Sequence, residues 1–233
     1  MWKKNPNPTL CFRANIFLME AFRPDQVKDW VTHTLPIEMT TYGASKTLDE
    51  NLVTILDSLT EKYGISDLSA ILFTIVKDLI LNGFKANFKR LFFQENQLDI
   101  HSPADYELGV RMYKSLILSG RGNTFEPLAR EKNLYVHIKI EHNETQIKFD
   151  VRNNTMLVRG EMQKIRNSLL HAQNYNDIME YYIERGDNSE GEGIGIALCV
   201  ILLKGEGLPT DQFRIYHEDG ETIAQLTIPL KKG

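Results

Sequence analysis

The stretch Ile75-Val76-Lys77-Asp78-Leu79-Ile80-Leu81-Asn82-Gly83-Phe84-Lys85-Ala86-Asn87-Phe88-Lys89-Arg90 is the most informative part of the chain. With about 100° of rotation per helical residue, Asp78, Asn82 and Lys85 fall within a narrow arc, and apolar side chains cover much of the remaining surface. Burying a carboxylate, an amide and an ammonium group is costly unless each group is paired or faces a wet cavity. The pattern therefore predicts a polar stripe that lines a pocket or forms an internal network. The solvent-exposed face of an ordinary amphipathic helix is the alternative.

Each member of this stripe has a chemical use. A carboxylate at Asp78 can orient or deprotonate a water molecule, an amide oxygen at Asn82 can hold a hard cation such as Mg²⁺, and an ammonium group at Lys85 can meet phosphate. These three tasks together are typical of a nucleotide site.

A second candidate element is the glycine-rich loop that precedes a strongly apolar helix. Gly191, Gly193 and Gly195 alternate with Glu192 and Ile194. Residues without side chains let backbone N–H groups approach an anion, and the following helix adds the partial positive charge of its N-terminus. The loop is therefore interpreted as a phosphate-binding element, with a flexible connection as the alternative.

The order of helical and strand patterns predicts the fold class. Apolar residues at helical spacing indicate helices, and alternating apolar and polar residues indicate strands. Helices are predicted at residues 48–62, 68–86, 104–118, 160–173, 177–185 and 194–204. Strands are predicted at residues 11–18, 30–35, 89–94, 134–140, 146–151, 213–217 and 222–228. This order is typical of an α+β protein with helices packed on one face of a mostly antiparallel sheet.

No clean linker divides the chain, so its organisation is predicted from pattern alone. Residues 1–47 are expected to form an N-terminal extension with strands, and residues 48–233 the main domain. Within that domain, residues 95–132 are predicted to be a helical insert and residues 155–190 a lid.

Composition excludes several classes of protein. Of 233 residues, 42% are hydrophobic and 25% are charged, which is typical of a globular domain. A net charge of -4 provides no basic field for nucleic acid or for an anionic membrane. Cys11 and Cys199 lack the spacing of a zinc site or a disulfide framework, which favours a cytoplasmic setting. Polar residues interrupt the apolar stretch at residues 10–22, so no signal peptide or membrane anchor is expected.

The two candidate elements together resemble the histidine-kinase-type ATPase superfamily, also called GHKL or Bergerat-fold ATPases, over roughly residues 48–230. The stretch from Asp78 to Lys85 is similar to the family's N box, in which an acidic residue in the base position precedes the magnesium-binding Asn82. Gly191-Glu192-Gly193-Ile194-Gly195-Ile196 is similar to the second glycine box, which caps the phosphates. Thr222, after Gly220-Glu221, resembles the last box, where a hydroxyl helps to hold adenine. The resemblance implies a two-layer α/β sandwich of the Bergerat type that binds Mg²⁺ and ATP.

One motif departs from the family pattern. The family's first glycine box, DxGxG, corresponds here to Val151-Arg152-Asn153-Asn154-Thr155-Met156. Asn153 thus stands where the family has the aspartate that accepts the adenine amino proton. An Asn oxygen can still accept one hydrogen bond, but the amide can also flip and present donors. Both glycines of the box are missing, which is expected to stiffen the hinge of the lid.

These observations favour a cytoplasmic ATPase or kinase-like domain that acts in signal transduction on a regulatory protein partner. The chain shows no phosphoacceptor histidine on a helical hairpin, so it resembles the anti-sigma serine kinases more than the sensor kinases. The second hypothesis is a catalytically inactive module of the same fold that binds a nucleotide, or none, and works by protein interaction. A third hypothesis is a small-molecule sensor unrelated to ATP.

Overall fold

The part of the chain that the structure describes contains eight α-helices, six strands and three short 3₁₀ helices. The structure is a computed structural model, and it describes residues 15–17, 21–185 and 194–230. The strands are β1 (Asn15–Phe17), β2 (Ile37–Thr41), β3 (Val136–His142), β4 (Gln146–Asn153), β5 (Phe213–Glu218) and β6 (Glu221–Pro229). The helices are α1 (Pro24–Thr32), α2 (Lys46–Lys62), α3 (Ser69–Glu95), α4 (Pro103–Leu118), α5 (Glu126–Glu131), α6 (Arg159–Ala172), α7 (Ile178–Arg185) and α8 (Ile194–Gly205).

The strands form one sheet in the order β1-β2-β3-β4-β6-β5. β1 pairs with β2 in parallel, and every other neighbouring pair is antiparallel. Ile138 pairs with Met39 on one side and with Val151 on the other, so apolar residues of adjacent strands share one face. From Val136 to Glu141 in β3, buried apolar residues alternate with half-exposed polar ones, because successive side chains of a strand point to opposite faces. One face of the sheet therefore carries the core.

Helix α3 covers the apolar face and packs against β3 and β4. α2 and α8 pack against α3, and α1 packs against α2. Side chains of these helices, such as Leu52, Ile80 and Val200, join those of the strands in one buried core. The predicted α+β class, with a layer of helices on a mostly antiparallel sheet, is therefore confirmed.

Helix α3 is 27 residues long, and charged residues such as Lys77, Asp78 and Lys85 recur along it. Within the described part of the chain, no helix combines the length and the apolar content that crossing a membrane requires.

Residues 89–94 are helical, so the strand predicted there is wrong. α3 continues through them, and Leu91, Phe92 and Phe93 are all buried. This is because α3 packs against the sheet and also against α4 and α5. A helix that is enclosed on several sides has no clear apolar period, so its last turns resemble a buried strand in the sequence.

The strand predicted at residues 30–35 is also wrong. α1 has Pro24 in its first turn and buries Val27 and Val31, which are spaced four residues apart as the buried side of a helix requires. After α1 the chain turns at Thr34, whose φ is 56°, before β2 begins. Helical packing on α2 thus outweighs the strand preference of the β-branched residues in this segment.

Most other predicted elements are confirmed to within a few residues. The predicted insert contains α4 and α5, and the two predicted hairpins are β3–β4 and β5–β6. Of the strand predicted at residues 11–18, residues 15–17 form β1 and the rest lies outside the described residues. Through β1 and β2, the described part of the N-terminal extension joins the same sheet as the rest of the chain.

Candidate functional site

Five of the residues that the sequence predicts to form a site line one cavity. Its volume is about 320 Å³, which lies in the range of roughly 300 to 1,000 Å³ that is usual for small-molecule sites. Helices α3, α4, α6 and α8 and strands β4, β5 and β6 contribute to its lining. The five predicted residues that line it are Asn82, Lys85, Asn153, Gly195 and Thr222.

A close approach of α3 to the sheet forms one wall of this cavity. Gly83 faces β3, where a Cβ atom would lie only 2.9 Å from Cγ2 of Val136 and 3.6 Å from Cβ of Asn153. The absence of a side chain at Gly83 therefore lets α3 lie close to the strands. This contact brings Asn82 and Asn153, which are distant in sequence, to one cavity.

At the α8 end, Asn82 and Gly195 line the cavity, and Asp78 lies directly next to both of them. The Asn82 Nδ2 atom donates a hydrogen bond of 3.1 Å to Oδ2 of Asp78, one helical turn earlier. Asp78 does not line the cavity itself, but a Cβ atom on Gly195 would collide with its carboxylate. The first turn of α8 thus lies directly against Asp78, and only glycine fits at position 195 without a shift of that carboxylate.

Electrostatics at the α8 end favour a proton acceptor. Burial raises the pKa of Asp78 above its ordinary value, while the charge of Lys85 and the hydrogen bond from Asn82 oppose this rise. Burial and the nearby Asp78 carboxylate also raise the pKa of the Cys199 thiol. A raised carboxyl pKa makes Asp78 a better base, whereas the protonated Cys199 is not a reactive nucleophile.

The glycine-rich loop is described only in part. Ile194 is the first residue of α8, and Gly195 follows it at the cavity wall. Gly191 and Gly193, which the sequence predicts to hold phosphate, lie outside the described residues.

At the sheet end, Asn153 and Thr222 line the cavity, and Asn87 and Thr155 lie next to them as hydrogen-bond partners. The Asn87 side chain is fully buried, and its Nδ2 atom donates to the carbonyl oxygen of Tyr135 at 2.9 Å. Because that carbonyl can only accept, the Asn87 Oδ1 atom is turned towards the other side. It accepts hydrogen bonds there from Asn153 Nδ2 at 3.3 Å and from Thr155 Oγ1 at 3.1 Å.

This network sets the orientation of the Asn153 amide. Its Nδ2 atom also donates to Thr155 Oγ1 at 2.7 Å. Thr222, which pairs with Asn153 across β4 and β6, donates from its hydroxyl to the Thr155 carbonyl at 2.6 Å. Among the described residues, no donor contacts the Asn153 Oδ1 atom. The side chain therefore presents an acceptor where the sequence alone leaves donor and acceptor open.

Asn87 and Thr155 were not predicted from the sequence. Asn87 lies outside the polar stripe of α3, on the side that faces the sheet, and its neighbours Phe84, Phe88 and Leu91 are buried. A single polar residue among buried apolar positions is the signal that could have identified it, because such a residue needs partners.

A buried ion-pair network joins the predicted lid to α3. Glu161, in the first turn of α6, accepts hydrogen bonds from Lys89 Nζ at 3.3 Å and from Arg90 Nη1 at 2.6 Å. Arg90 also donates to the carbonyl oxygen of Met156, just before α6. Burial opposes the ionisation of Glu161, but the hydrogen bond from Arg90 and the charges of Lys89 and Arg90 hold its pKa below the ordinary value. The start of the lid is therefore fixed to the helix that carries the polar stripe.

The charges around the cavity favour an anionic ligand. Lys85, Lys89, Lys114 and Lys164 line it, whereas Glu161 is its only acidic lining residue in the described part of the chain. Since Glu161 already pairs with Lys89 and Arg90, the remaining lysines give the cavity an excess of positive charge.

The fold and this cavity define an α+β protein with a two-layer core and a small-molecule-sized cavity between its helices and its sheet. No protein-family model matches the chain, and no solved structure matches it. An uncharacterized protein of Treponema pallidum (strain Nichols) is 27% identical over 205 residues, which covers 88% of this chain and 40% of that protein. The chain thus spans less than half the length of this relative, and the activity, substrates and partners of the whole protein are matters for proposal.

Proposed function

We propose that this chain binds Mg²⁺·ATP as a histidine-kinase-like ATPase domain of the Bergerat type, and that it acts as a signalling or regulatory kinase on a partner protein. The observation that carries this proposal is the meeting of Asn82, Lys85, Asn153, Gly195 and Thr222 at one cavity. These residues come from motifs that are far apart in sequence. Their convergence supports the resemblance from which they were predicted.

The orientation of Asn153 supports adenine as the base. Its amide nitrogen is engaged by Asn87 and Thr155, so its oxygen is the atom available to a ligand. An acceptor matches the exocyclic amino group of adenine, whereas it would repel the carbonyl oxygen of guanine at the same position. In this proposal Asn153 accepts a hydrogen bond from the adenine amino group, as the family's aspartate does. Thr222 helps to position Asn153 indirectly, because it donates to Thr155, which in turn contacts Asn153.

The α8 end suits the phosphates. Lys85 supplies a positive charge, and the N-terminal turn of α8 at Ile194 and Gly195 supplies backbone N–H groups with their partial positive charge. Gly191 and Gly193 complete this phosphate site in the proposal on the strength of the resemblance.

The residues at the α8 end also suit a magnesium ion. Asn82 donates its amide hydrogen to Asp78, which leaves its Oδ1 atom to bind a cation. Mg²⁺ prefers oxygen ligands and is usually held by one or two protein groups together with substrate phosphates, whose charge it neutralises. Asp78, with its raised pKa, takes the proton from the attacking water or from the hydroxyl group of the partner protein.

Calorimetric titration of Mg²⁺·ATP tests the proposal. We expect micromolar binding to the wild type, weaker binding of GTP, and a loss of roughly tenfold or more in Asn82→Ala. Gln94→Ala is the matched control, because Gln94 is an exposed amide on the same helix outside the cavity. The absence of heat with any nucleotide at millimolar concentration would overturn the proposal.

Binding without turnover is the second candidate function. Asn153 in place of the family aspartate and the buried ion pairs that fix the start of α6 to α3 favour it. The two candidates differ in hydrolysis and phosphotransfer. Turnover that is present in the wild type and absent in Asp78→Asn supports the kinase, whereas ATP binding with no turnover in either protein supports the inactive module.

A further inference from the structure

Helix α4, which belongs to the predicted insert, forms a wall of the cavity. Val110, Tyr113, Lys114 and Ile117 of this helix line it, together with residues of the β4–β6 pair. The family motifs do not include this insert. A residue of α4 that contacts the ligand would therefore be a feature of this chain rather than of the motifs it shares with the family.

α4 is held firmly against α3. The Tyr113 hydroxyl donates to the carbonyl oxygen of Lys85 at 3.1 Å, and the Tyr113 ring lies 5.6 Å from the ring of Phe92. A Cβ atom on Gly109 would collide with the ring of Phe93, so the two helices touch closely at this position. The cavity wall formed by α4 is thus fixed in place, and the residue next to Tyr113 has a defined position.

That residue is Lys114, which is half-buried at the cavity. In the part of the chain that the structure describes, no carboxylate forms an ion pair with it. Lys85, on the neighbouring helix α3, lines the same cavity. Two ammonium groups at one cavity repel each other, and an anion between them converts this repulsion into attraction.

We propose that Lys114 contacts the phosphate chain of the bound nucleotide and thereby makes the cavity selective for ligands with several negative charges. The inference rests on the proposed function, since it takes a nucleotide as the ligand. In this arrangement Lys85 and Lys114 approach the phosphates from two different helices, and the insert contributes a specificity residue.

The test is a calorimetric comparison of Mg²⁺·ATP, Mg²⁺·ADP and adenosine for the wild type and three variants. Lys114→Gln is expected to weaken ATP binding roughly tenfold, to weaken ADP binding less, and to leave adenosine binding unchanged. Lys114→Arg keeps the charge and is expected to retain ATP binding. Arg111→Gln removes the same charge from the exposed side of α4, outside the cavity, and should change nothing.

The outcomes separate this inference from the proposed function. If the wild type binds ATP and Lys114→Gln binds it as tightly as Arg111→Gln does, the role of Lys114 is overturned and the proposed function stands. An equal loss for ATP and adenosine would also overturn it, because it would indicate a packing role. Failure of the wild type to bind any nucleotide overturns both. A thermal unfolding curve for each variant excludes loss of fold as the cause of a weaker signal.

Discussion

The two ends of the cavity use the same kind of side chain in different ways. At the α8 end, Asn82 makes one hydrogen bond to Asp78 and keeps its oxygen for another partner. At the sheet end, Asn153 donates to both Asn87 and Thr155, and Asn87 in turn donates to a backbone carbonyl. The α8 end is half-buried with unused acceptors, whereas the sheet end is a buried network in which most groups are already paired.

Because of this difference, substitutions at the two ends are expected to affect different properties of the protein. Removing a partner in a buried network leaves other polar groups without hydrogen bonds, which costs stability whether or not a ligand is present. Removing a half-exposed group costs little, because water replaces it. Changes at the sheet end are therefore expected to lower the free energy of unfolding, and changes at the α8 end to alter binding or turnover.

The largest effect is expected for Asn87→Leu. This change removes the acceptor for Asn153 and Thr155 and the donor to the Tyr135 carbonyl, while it keeps a side chain that branches at the same carbon. We expect a loss of about 3 kcal/mol in the free energy of unfolding, since several buried polar groups lose their partner at once. Chemical denaturation followed by circular dichroism measures it.

A loss below about 0.5 kcal/mol in Asn87→Leu, which is the usual size of a surface effect, would contradict the network at the sheet end. Gln94→Leu is a suitable control for the change of an amide to leucine, because Gln94 is exposed on the same helix.

A smaller loss is expected when the aspartate of the family is restored at position 153. In Asn153→Asp a carboxylate oxygen replaces the Nδ2 atom that donates to Asn87 Oδ1. Two hydrogen-bond acceptors then face each other at a buried position. We expect destabilisation of about 2 kcal/mol at pH 7, and less at acidic pH, where a protonated carboxyl group can donate. Chemical denaturation at the two pH values measures both differences.

The matched control for Asn153→Asp is Asn167→Asp on the exposed side of α6. There the amide oxygen accepts from Gln163, so a carboxylate can keep the bond and the stability should not change. An Asn153→Asp protein as stable as the wild type would show that the orientation assigned to Asn153 is wrong.

The smallest effect, with the opposite sign, is expected for Asp78→Asn. Burial raises the folded-state pKa of Asp78 above its ordinary value of 3.8, so the folded state binds the proton more tightly than the unfolded state does. The stability of the wild type therefore decreases as pH rises from the ordinary pKa through the raised one. An asparagine at this position has no charge to bury, so the variant should be equally stable or more stable at pH 7, by no more than about 1 kcal/mol because solvent screens this half-buried group.

The free energy of unfolding of Asp78→Asn and wild type, measured at several pH values from acidic to neutral, checks this sign. The difference should be largest at neutral pH and smallest in acid. Asp67→Asn, at an exposed aspartate, is the control. A clear destabilisation of Asp78→Asn at neutral pH would mean that the partners of the carboxylate stabilise its charge by more than burial destabilises it, and the contrast between the two ends would fail.

Local sequence patterns were sufficient to predict those helices and hairpins that have one face exposed to solvent. The helices α2 and α4 and the two hairpins follow from apolar spacing, because their polar faces mark the period clearly. At residues 89–94 α3 is enclosed and the apolar period disappears, so the helix cannot be predicted from the local pattern. At residues 30–35 the packing of α1 on α2 decides the conformation.

By itself, the sequence determined the α+β class and the polar stripe with Asp78, Asn82 and Lys85, because these depend on residue type and on spacing along the chain. The candidate positions Asn153 and Thr222 came from the motifs that resemble those of a known family. Only the tertiary structure decided that α4 closes one side of the cavity and that Asn87 orients Asn153. The physical reason is that such contacts join residues far apart in the chain, 66 positions for Asn87 and Asn153. No local period encodes which buried polar groups will meet across that distance.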